Sequence, residues 1–205
     1  MTRRRLAWLK AGVVVVGLTP LALLFARAAG YGSLGANPVQ HVQHSLGITA
    51  LNLLLLTLAI TPLRRMTGLS WLVSLRRALG LLAFTYALLH ALSYIVLDRR
   101  LDWSSLIPDV TERPWITVGV LALLLLVPLA VTSTNAMQRR LGRRWRSLHR
   151  SIYVIGALAV LHFFLQVKLD TSEPLLYALI LAALLGFRVV DWLRRRARQP
   201  QLSRS

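Results

Sequence analysis

Hydrophobic residues along this chain gather into long stretches that are separated by polar segments. Six stretches are long enough to cross a bilayer as α-helices, since one span needs about 20 apolar residues. They cover residues 11–29, 45–63, 78–97, 115–132, 149–167 and 175–193. We number them as the first to the sixth predicted span. The pattern predicts an all-α integral membrane protein, a six-helix bundle that forms one domain over residues 1–205.

Composition supports the membrane interpretation. Hydrophobic residues make up 56 % of the chain, charged residues only 16 %, and the mean hydropathy is +0.58. A soluble domain of this length does not need so much apolar surface. Pro20 and Pro128 fall inside predicted spans, where membrane helices tolerate proline because neighbouring groups satisfy the freed backbone. No internal repeat or low-complexity segment is evident.

The net charge of +18 is distributed unevenly between the two sides of the predicted bundle. Arginines and lysines precede the first span, separate the second from the third and the fourth from the fifth, and form a basic tail at 194–205. The opposite segments hold six of the seven acidic residues, namely Asp98, Asp102, Asp109, Glu112, Asp170 and Glu173. This asymmetry predicts that both termini lie in the cytoplasm. It indicates contact with anionic lipids and argues against a nucleic-acid partner.

The N-terminal segment allows a second interpretation. Its basic start and the Ala26-Arg27-Ala28 sequence after the apolar run resemble a cleavable signal peptide. The run is nevertheless long enough to span. Keeping it gives an even number of helices with both termini on the basic side, so we favour a retained first helix.

Two histidines lie at the same predicted depth in the membrane. His90 of the third span and His162 of the fifth each lie about 18 to 20 Å from the cytoplasmic edge at 1.5 Å per residue. Ionisable residues within a membrane are costly and are by default candidates for function. Two imidazoles at one depth suit a b-type haem with an axial nitrogen on each face of the iron.

Other roles for this pair are open. Both histidines could be structural, bonded to neighbouring carbonyls or hydroxyls. Zinc is disfavoured because no carboxylate or thiolate lies at that depth to complete a tetrahedral site. The chain also contains no cysteine, which excludes disulfides, iron–sulfur ligation and thiol chemistry. Any redox role therefore needs a bound cofactor.

His149 lies at the cytoplasmic edge of the fifth span. Thirteen residues turn an ideal helix by about 220°, so His149 and His162 do not share a face unless the first turn is irregular. At the depth of His149 the third span offers only Arg76 and Arg77. An arginine cannot ligate iron, but it can bind a haem propionate or a flavin phosphate. One haem is therefore predicted, and a second is left open.

His41 and His44 stand at the outer mouth of the second span, in PVQHVQHSLG. They are either surface histidines at the start of a helix or residues near the haem edge that faces an outer partner.

Four motifs resemble the haem-binding membrane subunit of the bacterial periplasmic methionine sulfoxide reductase system. This family is also described as the YedZ or MsrQ type, within the ferric-reductase-like transmembrane group. The motifs are GSLGANPVQHVQHSLGITAL at 32–51, RRALGLLAFTYALLHALSY at 76–94, TERPWITVG at 111–119 and LAVTSTNAMQRRLGRRWRSLHRSIYVIGALAVLHFFLQVK at 129–168. The resemblance extends in order over residues 5–195.

The resemblance implies a multi-pass protein of the bacterial inner membrane that binds haem b, and family descriptions add FMN. It implies an electron-transfer subunit that is not an enzyme on its own. Electrons would come from the quinone pool or a cytosolic flavin reductase. They would pass to a periplasmic molybdenum-containing catalytic subunit, the partner in a heterodimer, which reduces methionine sulfoxide in oxidised proteins. This partner would dock on the periplasmic segments 30–44, 98–114 and 168–174.

The family's haem histidines correspond to His90 in LLHALSY, His149 in SLHRSIY and His162 in AVLHFF. Compared with two-haem ferric reductases, the third span lacks its first histidine and has arginine in that region. No GxGxxG or other nucleotide-binding loop appears in the chain. The direct donor is therefore expected to be a quinol or another protein rather than NAD(P)H.

Two rival functions are considered. A stand-alone haem-containing ferric or quinone reductase would need no periplasmic partner. A transporter could use the histidines to relay protons, but transporters usually show paired repeats and broken helices at the midplane, and neither pattern is evident here.

Overall fold

The computed structural model describes residues 2–167 and 169–202, with only the backbone for 198–202. Lys168 and residues 203–205 of the predicted basic tail lie outside the described part of the chain. The helices are α1 (Arg3–Ala28), α2 (Pro38–Thr67), α3 (Arg76–Ser93), α4 (Trp103–Glu112), α5 (Pro114–Val131), α6 (Asn135–Leu141), α7 (Arg143–Leu148), α8 (Ile152–Gln166) and α9 (Ser172–Leu202). A 3₁₀ turn precedes α3 at Ser70–Leu75, another joins α7 to α8 at His149–Ser151, and a π-helical turn at Tyr94–Asp98 extends α3. The described residues contain no β-strand.

All six predicted spans are confirmed as helical segments long and apolar enough to cross a membrane. They occupy 3–28, 38–67, 70–98, 114–131, 143–166 and 172–197. Most extend beyond the predicted limits because hydropathy marks only the part of a helix that enters hydrocarbon, whereas caps set its ends. The Asn37 side chain, for example, accepts a hydrogen bond of 3.1 Å from the Gln40 amide and starts α2 seven residues early. The all-α membrane fold is confirmed.

The segment between the third and fourth spans contains a short helix that hydropathy did not predict. It contains α4, which begins where the Asp102 side chain accepts a hydrogen bond of 3.1 Å from the Ser104 amide. Ten residues are too few to span a bilayer, so the hydropathy pattern does not predict this helix as a span. Two of its apolar side chains, Trp103 and Ile107, are 66 % and 75 % exposed.

Two antiparallel helix pairs form the centre of the bundle. The most extensive contacts join α2 to α3 and α5 to α8, while α1 packs on α3 and α9 packs on α8 and α2. We call the end of the bundle that holds the α2–α3 and α5–α8 connections the basic end. The opposite end, which holds α4 and the α8–α9 connection, is the acidic end.

A buried tyrosine ties α1 to this centre. Pro20 interrupts the hydrogen-bond ladder of α1. The Tyr86 hydroxyl, on a side chain with 0 % exposure, donates to the Gly17 carbonyl at 2.7 Å and accepts from the Leu21 amide at 3.1 Å. A regular helix would pair these two backbone groups directly. The tyrosine therefore satisfies backbone groups at an irregular turn in an apolar setting.

Replacing Tyr86 with phenylalanine removes only this hydroxyl bridge. We expect Tyr86→Phe to destabilise the folded protein by about 1 kcal/mol, because two buried backbone groups lose their partner. Thermal unfolding in detergent measures the change. Tyr31→Phe is the matched control, since Tyr31 is 84 % exposed. Equal stability of the two variants would contradict the bridging role.

Candidate functional site

His90 on α3 faces α2 and is held by it. Its Nδ1 lies 3.0 Å from the carbonyl oxygen of Gln43. A carbonyl can only accept, so Nδ1 carries the proton and Nε2 keeps a free lone pair. The ring lies against Gly47, where an added Cβ would lie 3.2 Å from ring atoms. Glycine therefore allows the imidazole to approach the backbone of α2 closely.

His162 on α8 has the same arrangement with α5. Its Nδ1 lies 2.6 Å from the carbonyl oxygen of Trp115, which again leaves Nε2 with a lone pair. A Cβ added at Gly119 would lie 2.8 Å from Nδ1, too close for any real contact. Each central helix pair thus supplies one imidazole, one backbone acceptor and one glycine.

These two arrangements repeat with the same spacing. Each histidine follows the residue that supplies its carbonyl by 47 positions, and the glycine lies four residues after that carbonyl. The repeat is not evident from residue identity, because the carbonyls belong to different residues, Gln43 and Trp115, and the glycine and histidine lie among common apolar residues. The two helix pairs therefore hold their imidazoles in equivalent ways.

The two imidazoles face one another. Their ring centroids are 6.0 Å apart and their planes cross at 78°. Two metal–imidazole bonds of about 2 Å on a common axis place ring centres roughly 6 Å apart, and rings can turn freely about that axis. The Gln43 amide nitrogen is also buried without a hydrogen-bond partner in the described part of the chain. The donor atoms and their spacing fit a bis-histidine haem.

Known proteins point to the same family as the motifs. The family model described as ferric reductase like transmembrane component matches residues 46–160. A protein-methionine-sulfoxide reductase heme-binding subunit MsrQ from Xanthomonas axonopodis pv. citri (strain 306) is 50 % identical over 198 residues, covering 94 % of this chain and 90 % of the relative. The proteins of the same name from Xanthomonas campestris pv. campestris (strain 8004) and Bordetella pertussis (strain Tohama I) are 52 % and 50 % identical, over 93 % and 96 % of this chain and 88 % and 96 % of their own lengths.

The chain belongs to the MsrQ family, within the ferric-reductase-like transmembrane group. The resemblance drawn from the motifs is thereby confirmed. Six spanning helices and bacterial relatives also confirm a multi-pass protein of the inner membrane.

His149 lies apart from the facing pair, at the basic end. It starts the 3₁₀ turn between α7 and α8, so the irregular turn considered from the sequence is present. Its Nε2 is 3.1 Å from the Thr132 hydroxyl, which donates to the Pro128 carbonyl at 2.6 Å and therefore accepts from the imidazole. The ring stacks on Trp145 with centroids 4.0 Å apart. This arrangement occupies the nitrogen that a haem iron would need.

Arg76 and Arg77 point to different neighbours. Arg76 donates to the Thr61 hydroxyl on α2. Arg77 donates to the Asn135 side chain at the start of α6, at 3.0 Å. Since the two guanidinium groups diverge, the structure does not bring them together as one clamp for a phosphate or propionate.

The outer histidines have separate surroundings as well. His44 is exposed on α2, with its ring centroid 6.3 Å from that of Phe163, the residue after His162. His41 lies 3.2 Å from the guanidinium of Arg27 at the end of α1. His44 is therefore the outer histidine that lies beside the facing pair.

A buried carboxylate organises the acidic end. Asp109 of α4 accepts from the Tyr94 hydroxyl at 2.5 Å and contacts Arg99 at 2.6 Å and Arg113 at 3.0 Å. The hydrogen bond to Tyr94, together with the charge of Asp109, holds the pKa of Arg99 above its ordinary value. Asp109 therefore fastens α4 to the end of α3 and the start of α5. It is not available on the surface for a partner.

Sequence reasoning missed the residues that hold the histidines in place. Gly47 and Gly119 are visible in the sequence 43 positions before His90 and His162, but the spacing has meaning only once the helix pairs are known. The carbonyls of Gln43 and Trp115 leave no signal in the sequence at all, because every residue has one.

Proposed function

We propose that this protein is a haem b electron-transfer subunit in which His90 and His162 would hold the haem iron. The observation that carries the proposal is the facing pair of imidazoles, 6.0 Å apart, with each Nδ1 directed to a backbone carbonyl. The relatives named as heme-binding subunits support the choice of cofactor. When bound, haem b supplies reversible one-electron chemistry.

The chain's own residues prepare the two ligands. The carbonyls of Gln43 and Trp115 fix the tautomer and ring orientation, and they raise the basicity of the free nitrogens. Gly47 and Gly119 let the rings lie against the helix backbones. Leu51, Leu55, Val160 and Phe163 form a buried apolar cluster close to this level of α2 and α8, which excludes water.

Electron flow is proposed from the basic end to the acidic end. The excess of arginine at the basic end supports a cytoplasmic location for both termini. The donor would be the quinone pool or a cytosolic flavin reductase. The acceptor would be a periplasmic molybdenum-containing subunit that reduces methionine sulfoxide, in keeping with the reductase system for which the relatives are named. His90 and His162 lie nearer the acidic end, so a partner that accepts electrons would dock there, beside His44.

His149 is the proposed ligand for any second iron, at the basic end. Ligation through Nε2 requires that the hydrogen bond to Thr132 be given up. Since α3 offers arginine rather than histidine at this level, the opposite axial position would need another group.

The haem ligands are tested by single substitutions. We expect His90→Ala and His162→Ala each to remove most of the low-spin haem, because each substitution removes one of the two imidazoles that would hold the iron. The reduced-minus-oxidised absorption spectrum of the purified protein measures the haem content of each variant. His149→Ala is expected to retain most of the haem. Equal loss of half the haem in all three variants would contradict the single-site assignment.

Glycine variants extend this test to the backbone beneath the ligands. Gly119→Ala should reduce haem content more than Gly47→Ala, because its Cβ would lie 2.8 Å rather than 3.2 Å from the ring. Gly80→Ala is the matched control on α3, since nothing lies within 4 Å of its added Cβ. Full haem content in Gly119→Ala would contradict the close packing.

FMN binding is proposed at the basic end, with Arg77 as the residue that contacts the phosphate. The exposed Arg77 and Asn135 lie side by side there, whereas Arg76 is engaged with Thr61. We expect Arg77→Ala to lower the flavin-to-protein ratio several-fold through loss of a charge-assisted contact. Fluorescence of flavin released from the purified protein measures this ratio. Arg76→Ala is measured in the same way for comparison. Full flavin content in both variants would rule out this site.

Charge at the acidic end is expected to steer the periplasmic partner. Asp98, Asp102 and Glu112 are exposed, and hydrogen bonds from Ser104 lower the pKa of Asp102 below its ordinary value. The triple variant Asp98→Asn, Asp102→Asn, Glu112→Gln should slow reoxidation of the reduced haem by the purified partner at low salt. The difference should vanish at high salt.

Asp109 is left unchanged in this variant because it is buried and structural. A rate equal to that of the unmodified protein at every salt concentration would exclude steering by these acids. Efficient reoxidation by an acceptor that reaches only the cytoplasmic face would contradict the proposed direction of flow.

A further inference from the structure

Two arginines meet on one threonine at the basic end, and neither serves the facing histidines. Arg188 of α9 donates to the Thr61 hydroxyl at 3.2 Å and to the Leu58 carbonyl at 2.5 Å. Arg76 of α3 donates to the same hydroxyl. The guanidinium carbon of Arg188 also lies 5.2 Å from the centre of the Tyr153 ring on α8. We call Thr61, Arg76, Tyr153 and Arg188 the arginine cluster.

The arginine cluster has no counter-charge among the described residues. Neither Arg76 nor Arg188 lies within 4.0 Å of a carboxylate in residues 2–167 and 169–202. Asp191, the acid nearest in sequence, pairs with Arg65 and Arg195 instead. The Arg188 Nε is buried and has no partner in the same part of the chain. Two half-buried, uncompensated cations are costly, and a bound anion would offset that cost.

An apolar groove on the outside of the bundle leads to this cluster. It runs between α8 and α9, and its lining includes Ala157, Leu161, Phe164, Ala178, Ala182 and Leu185. Three alanines leave space where larger side chains would fill it. Tyr153 lies one helical turn before Ala157, and Arg188 lies about one turn after Leu185. By this spacing, Tyr153 and Arg188 of the cluster lie about one turn beyond the basic end of the groove.

We propose that the groove and the arginine cluster together bind one phospholipid with an anionic head group. An acyl chain lies in the groove, and head-group phosphates accept hydrogen bonds from Arg188 and Arg76. Arg188 lies 16 residues after the start of α9 at Ser172, about 24 Å along the helix axis, in the half of a roughly 30 Å hydrocarbon core that is nearer the basic end, from where a long arginine side chain extends toward the head groups. Basic pockets between spanning helices on the cytoplasmic side are recognised sites for anionic lipids.

Charge complementarity selects this ligand over a quinone. A quinone also has a long apolar tail, but its neutral head would leave both guanidinium groups uncompensated. A zwitterionic lipid brings its own cation next to the arginines. An anionic phospholipid adds net negative charge and several phosphate oxygens, which arginine binds strongly.

The proposal is tested by lipid binding to purified, delipidated protein. Phosphatidylglycerol, phosphatidylcholine with the same acyl chains, glycerol phosphate without chains, and a long-chain ubiquinone are titrated separately. Native mass spectrometry counts bound lipids, and thermal unfolding reports stabilisation. We expect phosphatidylglycerol alone to bind tightly at one site. Arg188→Gln should weaken this binding about tenfold, as expected for loss of a charge-assisted contact.

Matched variants separate the head-group site from general effects of charge and folding. Arg139→Gln removes the same charge from an exposed position at the basic end and should bind as the unmodified protein does. Ala182→Leu fills the groove without touching the arginines, and it should weaken phosphatidylglycerol binding while the haem spectrum stays unchanged. If Arg188→Gln does not fold, Ala182→Leu carries the test.

Several results would overturn the proposal. Equal affinity for phosphatidylglycerol and phosphatidylcholine would remove the role of the arginines. Equal binding of glycerol phosphate would remove the role of the groove, and preferential binding of ubiquinone would replace the lipid. Unchanged phosphatidylglycerol binding in Arg188→Gln would remove the role of the arginines, and unchanged binding in Ala182→Leu would remove the role of the groove. Haem binding at His90 and His162 is independent of each of these outcomes.

Discussion

The hydrogen bond from each half-buried imidazole to a backbone carbonyl of the neighbouring helix is the constraint on which the candidate site depends. It requires that α2 approach α3, and α5 approach α8, closely enough for a ring to reach the main chain. Gly47 and Gly119 make that approach possible, because a Cβ at either position would meet the ring. Once the rings are held in this way, both Nε2 atoms are free and the two histidines face one another.

The same demand governs polar groups throughout the bundle. A bilayer offers no water to an unpaired donor or acceptor, so a partner within the protein stabilises a polar group there. Tyr86 satisfies backbone groups beside Pro20, and the Thr132 hydroxyl accepts a hydrogen bond from His149. At the acidic end, Asp109 forms ion pairs with Arg99 and Arg113. Each contact fixes the position of one helix relative to another. The polar residues therefore define the packing of surfaces that are otherwise almost uniformly apolar.

Sequence alone was sufficient for the architecture and for placing His90 and His162 at one level. Hydropathy located all six spans because the length and apolarity of a membrane helix are local properties. Counting residues along the third and fifth spans placed His90 and His162 at one depth, because the rise of a helix is constant. The motifs identified the family, which the relatives confirm over nearly the whole chain. The length of α1 and α2 beyond the apolar stretches, and the short α4, depended on caps that hydropathy does not register.

Only the tertiary structure decided which groups meet. The sequence placed Arg76 and Arg77 side by side, but neighbouring positions on a helix point about 100° apart, and the two side chains bind α2 and α6 respectively. The sequence left open whether His149 shares a helix face with His162. In the structure its ring, at the 3₁₀ turn, instead stacks on Trp145 and contacts Thr132. The glycines beneath the imidazoles, the carbonyls that orient them, and Thr61 beside Arg188 each lie on a different helix from the residue they contact and far from it in sequence. The depth of a residue in the membrane is set by its position along its own helix. Which side chains meet depends on how the helices are rotated and packed against each other.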